Sequence, residues 1–155
     1  DAPRLLELYS KLYIGKHSRC NVMFKQSFVE RALRHRLLNF LALERDGRID
    51  AVMAYVQNDR MVYTPFIGYD LELPQDLGLY RMASALLVKQ ALDLGLAVNH
   101  SAGAARFKKN RGAHGVIEQH YVFTEHLPTY RQAGWRVLRQ IMNRLAVPMV
   151  KRMAI

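Results

Sequence analysis

The sequence has little of what marks a secreted or membrane-spanning protein. Its 155 residues include one cysteine, Cys20, which cannot form a disulfide within the chain. We therefore expect a reducing compartment and predict a cytoplasmic location. Every long apolar run is interrupted by a charged or polar side chain well before the roughly 18 residues that span a bilayer, which predicts no transmembrane segment. The chain opens on Asp1 without an initiator methionine or a leader, so we expect it to be a segment of a longer protein.

The chain also lacks the short motifs of several enzyme classes. It contains no G-x-S-x-G nucleophile elbow, no P-loop and no zinc-ligand spacing. Its six histidines are scattered, and no two of them have the helical spacing of a metal-binding pair. These absences argue against a hydrolase, a nucleoside triphosphatase and a metalloenzyme, and we expect no metal ion.

Acidic side chains are scarce where basic ones are dense. The net charge is +10, and residues 101–155 hold 10 basic and 2 acidic side chains. A positive field of this kind attracts nucleic acid, nucleotide phosphates, pyrophosphate-bearing cofactors or an anionic membrane surface. A basic surface without a specific ligand is the alternative.

What the sequence does contain is typical of one folded domain. Half of the residues are apolar and 23% are charged. This length supports one core and is too short for two, so we predict a single domain over residues 1–155. Hydrophobic periodicity predicts, in order, a helix after Pro3, a helix over 25–36, strands over 37–44, 49–57 and 61–69, a helix over 77–94, a strand over 96–100, a short helix over 104–110, a strand over 115–124 and a last helix from Pro128.

Turn residues predict how the first three strands pair. Asp46-Gly47 separates the first two strands and favours a tight hairpin, because both turn positions need positive φ. Pro65 cannot donate a ladder hydrogen bond, so we predict a break or bulge in the third strand. These strands form an antiparallel meander, and the later strands are reached through helices. The pattern predicts an α/β fold (α+β in some schemes) with a mixed sheet.

The most specific segment of the chain is Phe107-Lys108-Lys109-Asn110-Arg111-Gly112. It matches the pattern FK-x-x-RG and resembles the corresponding segment of Fem-type and BioF2-like transferases. The order of elements resembles the acyltransferase core of the GNAT superfamily over nearly the whole chain. The resemblance implies a GNAT-like mixed sheet flanked by helices on both faces, acyl transfer activity and a preceding GNAT-like domain in the full-length chain.

One loop departs from the usual pattern of that superfamily. Ordinary acetyltransferases carry a Q/R-x-x-G-x-G/A loop for the CoA pyrophosphate, whereas residues 68–78 hold three acidic side chains and two glycines. Such a loop presents fewer bare backbone amides to a pyrophosphate. The resemblance to Fem-type proteins implies aminoacyl-tRNA as a second donor class. We therefore expect acyl-CoA or aminoacyl-tRNA as co-substrate, with tRNA as a partner in the second case.

The candidate catalytic lysine lies in the FK-x-x-RG segment. By resemblance, Lys108 supports the transfer step and the phosphate-bearing donor. Arg111, three residues later, would clamp a phosphate or carboxylate bidentately. Phe107, Lys109 and Gly112 complete this donor-binding stretch. A solvated basic helix face is the alternative interpretation.

Further candidates lie on two predicted strands. Glu118 and His120 share one face of the fifth predicted strand, where one of them could accept the amine proton. A structural, hydrogen-bonded position is the alternative for each. Gly68, Tyr69 and Asp70 follow the third strand, where the superfamily binds its acyl donor, and Gly68 permits a close backbone approach. Loop capping is the alternative for Asp70.

These expectations combine in one hypothesis, the transfer of an acyl or aminoacyl group from a phosphate-bearing donor to an amine. The reaction needs a positioned electrophile, a stabilised oxyanion and a route for the amine proton. We expect the third strand and the strand near Val98 to part and leave a cleft, with residues 107–112 at its mouth. The alternatives are an acetyl-CoA-dependent small-molecule N-acetyltransferase, a non-catalytic RNA- or tRNA-binding module, and one half of a two-domain enzyme that is inactive alone.

Overall fold

The computed structural model describes residues 1–101, 103–119 and 121–154. For Met153 and Ala154 it describes the backbone alone. Contacts within the chain divide it into two compact units, Asp1–Ser101 and Ala102–Ile155. The single domain over residues 1–155 stays a prediction.

The first unit contains the sheet and most of the regular structure. Its elements follow the predicted order, and each begins and ends within a few residues of the predicted bounds. They are α1 (Ala2–Ser10), continued by a π-helical segment (Lys11–His17), α2 (Gln26–Arg34), β1 (Asn39–Arg45), β2 (Arg48–Gln57), β3 (Met61–Tyr69), a 3₁₀ turn (Gln75–Leu77), α3 (Leu79–Asp93) and β4 (Ala97–Asn99).

The four strands form one mixed sheet in the order β1-β2-β3-β4. The first three strands pair antiparallel, as the turn residues predict, and β4 pairs parallel to β3. The register between β2 and β3 shifts between Ala54 and Val56, so that Tyr55 lies opposite two residues, Thr64 and Pro65. The predicted bulge at Pro65 is therefore confirmed, and its cause is the ladder donor that proline lacks.

Helices cover both faces of this sheet, as predicted. Alternate residues of β2 point to opposite faces, so Val52 and Ala54 pack on one side while Met53 and Tyr55 pack on the other. The first cluster is completed by α1 and α2, and the second by α3 and the π-helical segment. Burying a side chain such as Phe66, which is almost fully enclosed, stabilises the fold by roughly 2–3 kcal/mol.

The second unit contains helices and irregular chain. Its helices are α4 (Ala105–Lys109), α5 (Thr129–Ile141), a π-helical segment (Met142–Ala146) and α6 (Val147–Ala154). The last three follow one another without a break, so the helix runs from Thr129 to Ala154. The π-helical segment lies just before Pro148, whose ring crowds the carbonyl four residues earlier and which has no N–H to donate.

The predicted strand over 115–124 is wrong for the residues that the structure describes. Residues 115–119 and 121–124 have no regular secondary structure. A strand exists only when a neighbouring strand accepts its backbone hydrogen bonds, and residues 115–119 and 121–124 have no such pairing. The β-branched and aromatic side chains of the segment were therefore not sufficient to form a strand.

No helix in the described ranges combines the length and the apolar character that crossing a bilayer requires.

Candidate functional site

Gly68 lies against the backbone of α1. A Cβ atom built on Gly68 would stand 2.4 Å from the Tyr9 nitrogen and 2.5 Å from the Leu8 carbonyl carbon. Real Cβ atoms essentially never come this close to other atoms, so glycine is required here. The close approach that the sequence suggested for a donor is made by the protein's own helix.

Asp70 forms a buried polar centre at the end of β3. Its carboxylate accepts a hydrogen bond from Arg4 Nη2 at 2.8 Å, forms an ion pair with Arg48, and accepts the Glu72 backbone N–H at 3.0 Å. Its own N–H donates to the Asp50 carbonyl at 2.8 Å. The carboxylate therefore joins α1, β2 and the loop after β3, and the bond to Glu72 is the loop capping that the sequence left open.

The surroundings of Asp70 favour its charged form. Burial raises the pKa of this carboxyl, but the hydrogen bonds from Arg4 and the Glu72 amide, with the charges of Arg4 and Arg48, hold the net pKa below its ordinary value. Neighbouring Tyr69 is half-buried, with its ring centroid 6.2 Å from that of Tyr80.

The edge of β3 is open over much of its length. Pairing with β4 covers Met61 to Tyr63, opposite Ala97 to Asn99. Residues 64–69 of β3 continue past the end of β4, and in the described part of the chain no strand pairs with them on that side. At the start of this edge, Thr64 Oγ1 is buried and has no hydrogen-bond partner among the described residues. An open strand edge presents backbone donors and acceptors to a ligand.

The N-terminus of α3 follows this edge in the chain. Its N-cap is Gly78 at φ 68°, and within the described ranges no side chain caps it. Backbone N–H groups in the first turn of a 15-residue helix attract anions. The Arg81 guanidinium lies beside Gly78 and donates to the Asp76 carbonyl at 3.2 Å. Arg81 was not predicted as a site residue, although a basic residue in the first turn of a Gly-capped helix is a usable signal.

This arrangement fits a phosphate group in part. The uncapped amides and Arg81 supply positive charge, while the carboxylates of Glu72 and Asp76 belong to the same loop and oppose it. Glu72 forms an ion pair with Lys11 at 2.7 Å, which neutralises one of these charges. The loop therefore repels an anion less than its three acidic side chains indicate.

In the second unit, the FK-x-x-RG segment forms α4 and the turn after it. Arg111 lies beyond the end of α4 and folds back. Its Nη1 donates to the Phe107 carbonyl at 3.0 Å, and its guanidinium carbon stacks 3.7 Å from the centroid of the Phe107 ring. Gly112 adopts φ 81° and donates to the Lys109 carbonyl at 3.1 Å, which ends the turn. Lys109 itself is exposed.

Lys108 differs from its basic neighbours because it is half-buried. Burial lowers the pKa of its ammonium, and the charge of Glu118 raises it, with a net pKa below the ordinary lysine value. The structure therefore brings Lys108 and Glu118 into electrostatic contact. The predicted shared strand face of Glu118 and His120 has no basis in the described residues, since Glu118 is not on a strand and His120 lies outside them.

The predicted site residues thus fall into two groups. Gly68, Tyr69 and Asp70 belong to the first unit, and Lys108, Arg111 and their neighbours belong to the second. The expected cleft with residues 107–112 at its mouth stays a prediction. Among the described residues, no group of three or more His, Cys, Asp or Glu side chains is placed to hold a metal ion.

Comparison with known proteins agrees with this architecture. The family model described as acetyltransferase (GNAT) domain matches residues 1–109, which include the whole sheet and end at the last residue of α4. No curated protein matches the chain. The match covers more than half of the chain, and the open edge of β3, the parallel β4 and the crossing helix α3 all lie within it. The chain belongs to the GNAT acetyltransferase family.

Proposed function

We propose that this protein transfers an acyl or aminoacyl group from a phosphate-bearing donor to an amine. The observation that carries the proposal is the family match over residues 1–109, since the family's chemistry is acyl transfer. The Fem-type donor class, the amine acceptor and a preceding GNAT-like domain are parts of the proposal that rest on the resemblance of the FK-x-x-RG segment.

Donor binding is assigned to the end of β3 and the start of α3. The open edge of β3 over residues 64–69 offers backbone groups to an extended acyl chain or pantetheine arm. The uncapped N-terminus of α3 and the Arg81 guanidinium offer positive charge to a phosphate. Tyr69 and Gly68 lie along this edge. Asp70 is assigned a positioning role, because its carboxylate is already engaged by Arg4 and Arg48.

Phosphate and transfer roles in the second unit are assigned to the FK-x-x-RG segment. The Lys108 ammonium would stabilise the developing oxyanion or a donor phosphate, and Lys109 and Arg111 would add charge for phosphate. Phe107 and Gly112 hold Arg111 in place through stacking and the turn. Glu118 is the proposed proton acceptor, with His120 as the other candidate.

The chemistry is a single displacement at a carbonyl carbon. The donor supplies an activated thioester or ester carbonyl. The amine nitrogen forms the new C–N bond, and the C–S or C–O bond to the donor breaks with its electron pair on the leaving sulfur or oxygen. The amine proton passes to a carboxylate such as that of Glu118, and a proton returns to the leaving group to give the free thiol or alcohol. The protein binds both substrates and positions them, which alone accelerates a two-substrate reaction greatly.

The test is a donor screen on the purified chain. Binding of CoA, acetyl-CoA and charged tRNA is measured by native mass spectrometry, and transfer is then measured with a panel of amines. Lys108→Ala should abolish transfer and leave the melting temperature unchanged. Lys89→Ala, which removes an exposed lysine of α3 paired with Asp93, is the matched control. Full turnover by the Lys108 variant would remove this residue from the mechanism.

Two readouts separate the donor classes. If CoA binds, Arg81→Gln should weaken it, because the guanidinium lies at the start of α3. If only charged tRNA binds, Lys109→Gln should weaken the binding of tRNA. That result would also exclude the alternative of a CoA-dependent N-acetyltransferase. Binding of RNA without transfer to any amine would favour the non-catalytic module. A chain that binds donor yet needs a preceding domain for turnover would favour the two-domain alternative.

A further inference from the structure

The helix from Thr129 to Ala154 carries an apolar stripe that is exposed to solvent. Trp135, Leu138, Met142, Leu145 and Met149 follow one another at alternate spacings of three and four residues. This spacing places Trp135 and Leu138 on one face of α5, and the wider turns of the π-helical segment (Met142–Ala146) rotate the stripe gradually along the rest of the helix. Each of these side chains is between 42% and 61% exposed, although the spacing is that of a buried face.

The second unit does not cover this stripe with a core of its own. Within residues 103–119 and 121–152, no side chain is buried. The apolar arc is also wide, because Val137, Ile141 and Val150 extend it on both flanks, and all three are exposed. A coiled-coil partner covers only a narrow two-in-seven seam. The width of this apolar arc is therefore better matched by a broad apolar surface than by a single partner helix.

The charge of the same helix has one sign. Between Thr129 and Ala154 there is no acidic residue. A second copy of the helix would bring like charges together, which opposes self-association. The basic residues are Arg131, Arg136, Arg139, Arg144, Lys151 and Arg152.

These features together match the chemistry of an anionic lipid surface. An interfacial helix combines a wide apolar arc containing Trp and Leu with a polar face rich in Lys and Arg. At about 1.5 Å per residue, the helix would lie along roughly 39 Å of interface. Arg131, four residues before Trp135, lies on the stripe itself in the first turn of the helix, whereas Arg136, Arg139 and Arg144 lie beside or opposite the stripe. Side chains of this kind can place their charges among lipid phosphates while their stems cover apolar surface. A protein groove would have to match the same length, width and charge.

We propose that the helix from Thr129 to Ala154 binds the surface of anionic membranes, lying in the interface with Trp135 among the acyl chains. The inference does not depend on acyl transfer, since none of these residues is assigned a role in it. It gives the protein a peripheral membrane-binding surface.

The single tryptophan of the chain reports on this surface without a label. Trp135 fluorescence is recorded with vesicles of phosphatidylglycerol and phosphatidylcholine in equal amounts, and with phosphatidylcholine alone. We expect a blue shift and quenching by brominated acyl chains with the anionic vesicles only. Cosedimentation of the same samples gives the partition coefficient. Absence of either binding or the blue shift overturns the proposal.

Matched variants separate this helix from general attraction by a basic protein. Arg136→Gln with Arg139→Gln should lower the partition coefficient about 25-fold, since each basic residue near an anionic surface contributes about five-fold. Arg31→Gln with Arg34→Gln removes the same charge from exposed positions of α2 and should change it little. Equal losses in the two pairs would assign binding to net charge and overturn the proposal.

A second comparison tests the apolar stripe and the nature of the polyanion. Leu138→Ser should weaken vesicle binding by about ten-fold or more, whereas Leu92→Ser, at an exposed position of α3, should not. An RNA homopolymer is the soluble polyanion control. A Trp135 blue shift with RNA equal to that with anionic vesicles would assign the surface to nucleic acid and end the membrane proposal.

Discussion

Replacing Gly68 by alanine should destabilise the first unit, because α1 occupies the space that a Cβ needs. The added methyl group would lie 2.4 Å from the Tyr9 nitrogen, whereas ordinary contact begins at 3.4 Å. The helix must therefore move by about 1 Å. Neither neighbour can yield by rotating a side chain, since both are backbone atoms of a helix packed on the sheet.

The size of the effect follows from what α1 buries. Leu5, Leu8 and Tyr9 are all buried, and three such side chains contribute roughly 5–9 kcal/mol. A gap of about 1 Å forfeits up to half of the contact energy. We therefore expect Gly68→Ala to lower the free energy of unfolding by about 2–4 kcal/mol, a large part of the total for an ordinary domain.

Urea unfolding followed by far-ultraviolet circular dichroism measures this loss. With a slope of about 2 kcal/mol per molar urea, the midpoint should fall by about 1–2 M. Gly15→Ala is the control within the same unit, because its nearest neighbour would be 3.8 Å away, and it should leave the midpoint unchanged or raise it slightly, since alanine favours a helix more than glycine does. An unchanged midpoint for Gly68→Ala, with weaker donor binding, would refute the packing argument and return Gly68 to a donor-binding role.

The other predictions concern charge. Asp70→Asn should lower the free energy of unfolding by about 3 kcal/mol, because it leaves the two arginines facing a neutral group. Glu72→Gln, at an exposed ion pair, should lower it by less than about 1 kcal/mol. Chemical denaturation measures both losses. Because the pKa of Asp70 is depressed in the folded protein, its contribution to stability is present above the ordinary aspartate pKa and is lost as the pH falls through the folded pKa. The free energy of unfolding of the wild type should therefore drop in acid. That of Asp70→Asn should depend less on pH in the same range. If the Lys108 ammonium acts in transfer, its lowered pKa places the alkaline limb of the rate profile below the ordinary lysine pKa. Lys108→Arg should move that limb to higher pH. Glu118→Gln removes the proposed proton acceptor and should lower the rate, and in the activity that remains the limb should move to lower pH. A limb at the same pH in both variants would contradict the assignment.

Much of the first unit could be predicted from local pattern. Residues 61–69 were predicted as a strand and form β3 with the same bounds, because a run of apolar, aromatic and β-branched side chains bounded by turn residues is typical of a strand. The bulge at Pro65 followed from one missing N–H. The bounds of α2 and α3 were within two residues of the prediction, as amphipathic spacing acts over a single helix.

The candidate site was harder to predict, because it depends on pairs of residues far apart in the sequence. Arg4 and Asp70 are 66 residues apart, and no local pattern indicates that they meet. The contact between Gly68 and α1 likewise joins residues that are far apart in the sequence. The signal that was available, a lone aspartate directly after a buried strand, indicated a function but not its partners.

The sequence by itself determined the order of elements in the first unit, the meander, the bulge and the strong positive charge of the last third, since each depends on neighbouring side chains or on composition. Tertiary structure alone decided that Asp70 is engaged by two arginines, that Gly68 makes room for α1, and that the segment around Glu118 forms no strand among the described residues. The physical reason is the same in each case. A hydrogen bond, an ion pair or a strand pairing needs a partner, and only the folded chain determines which group that partner is.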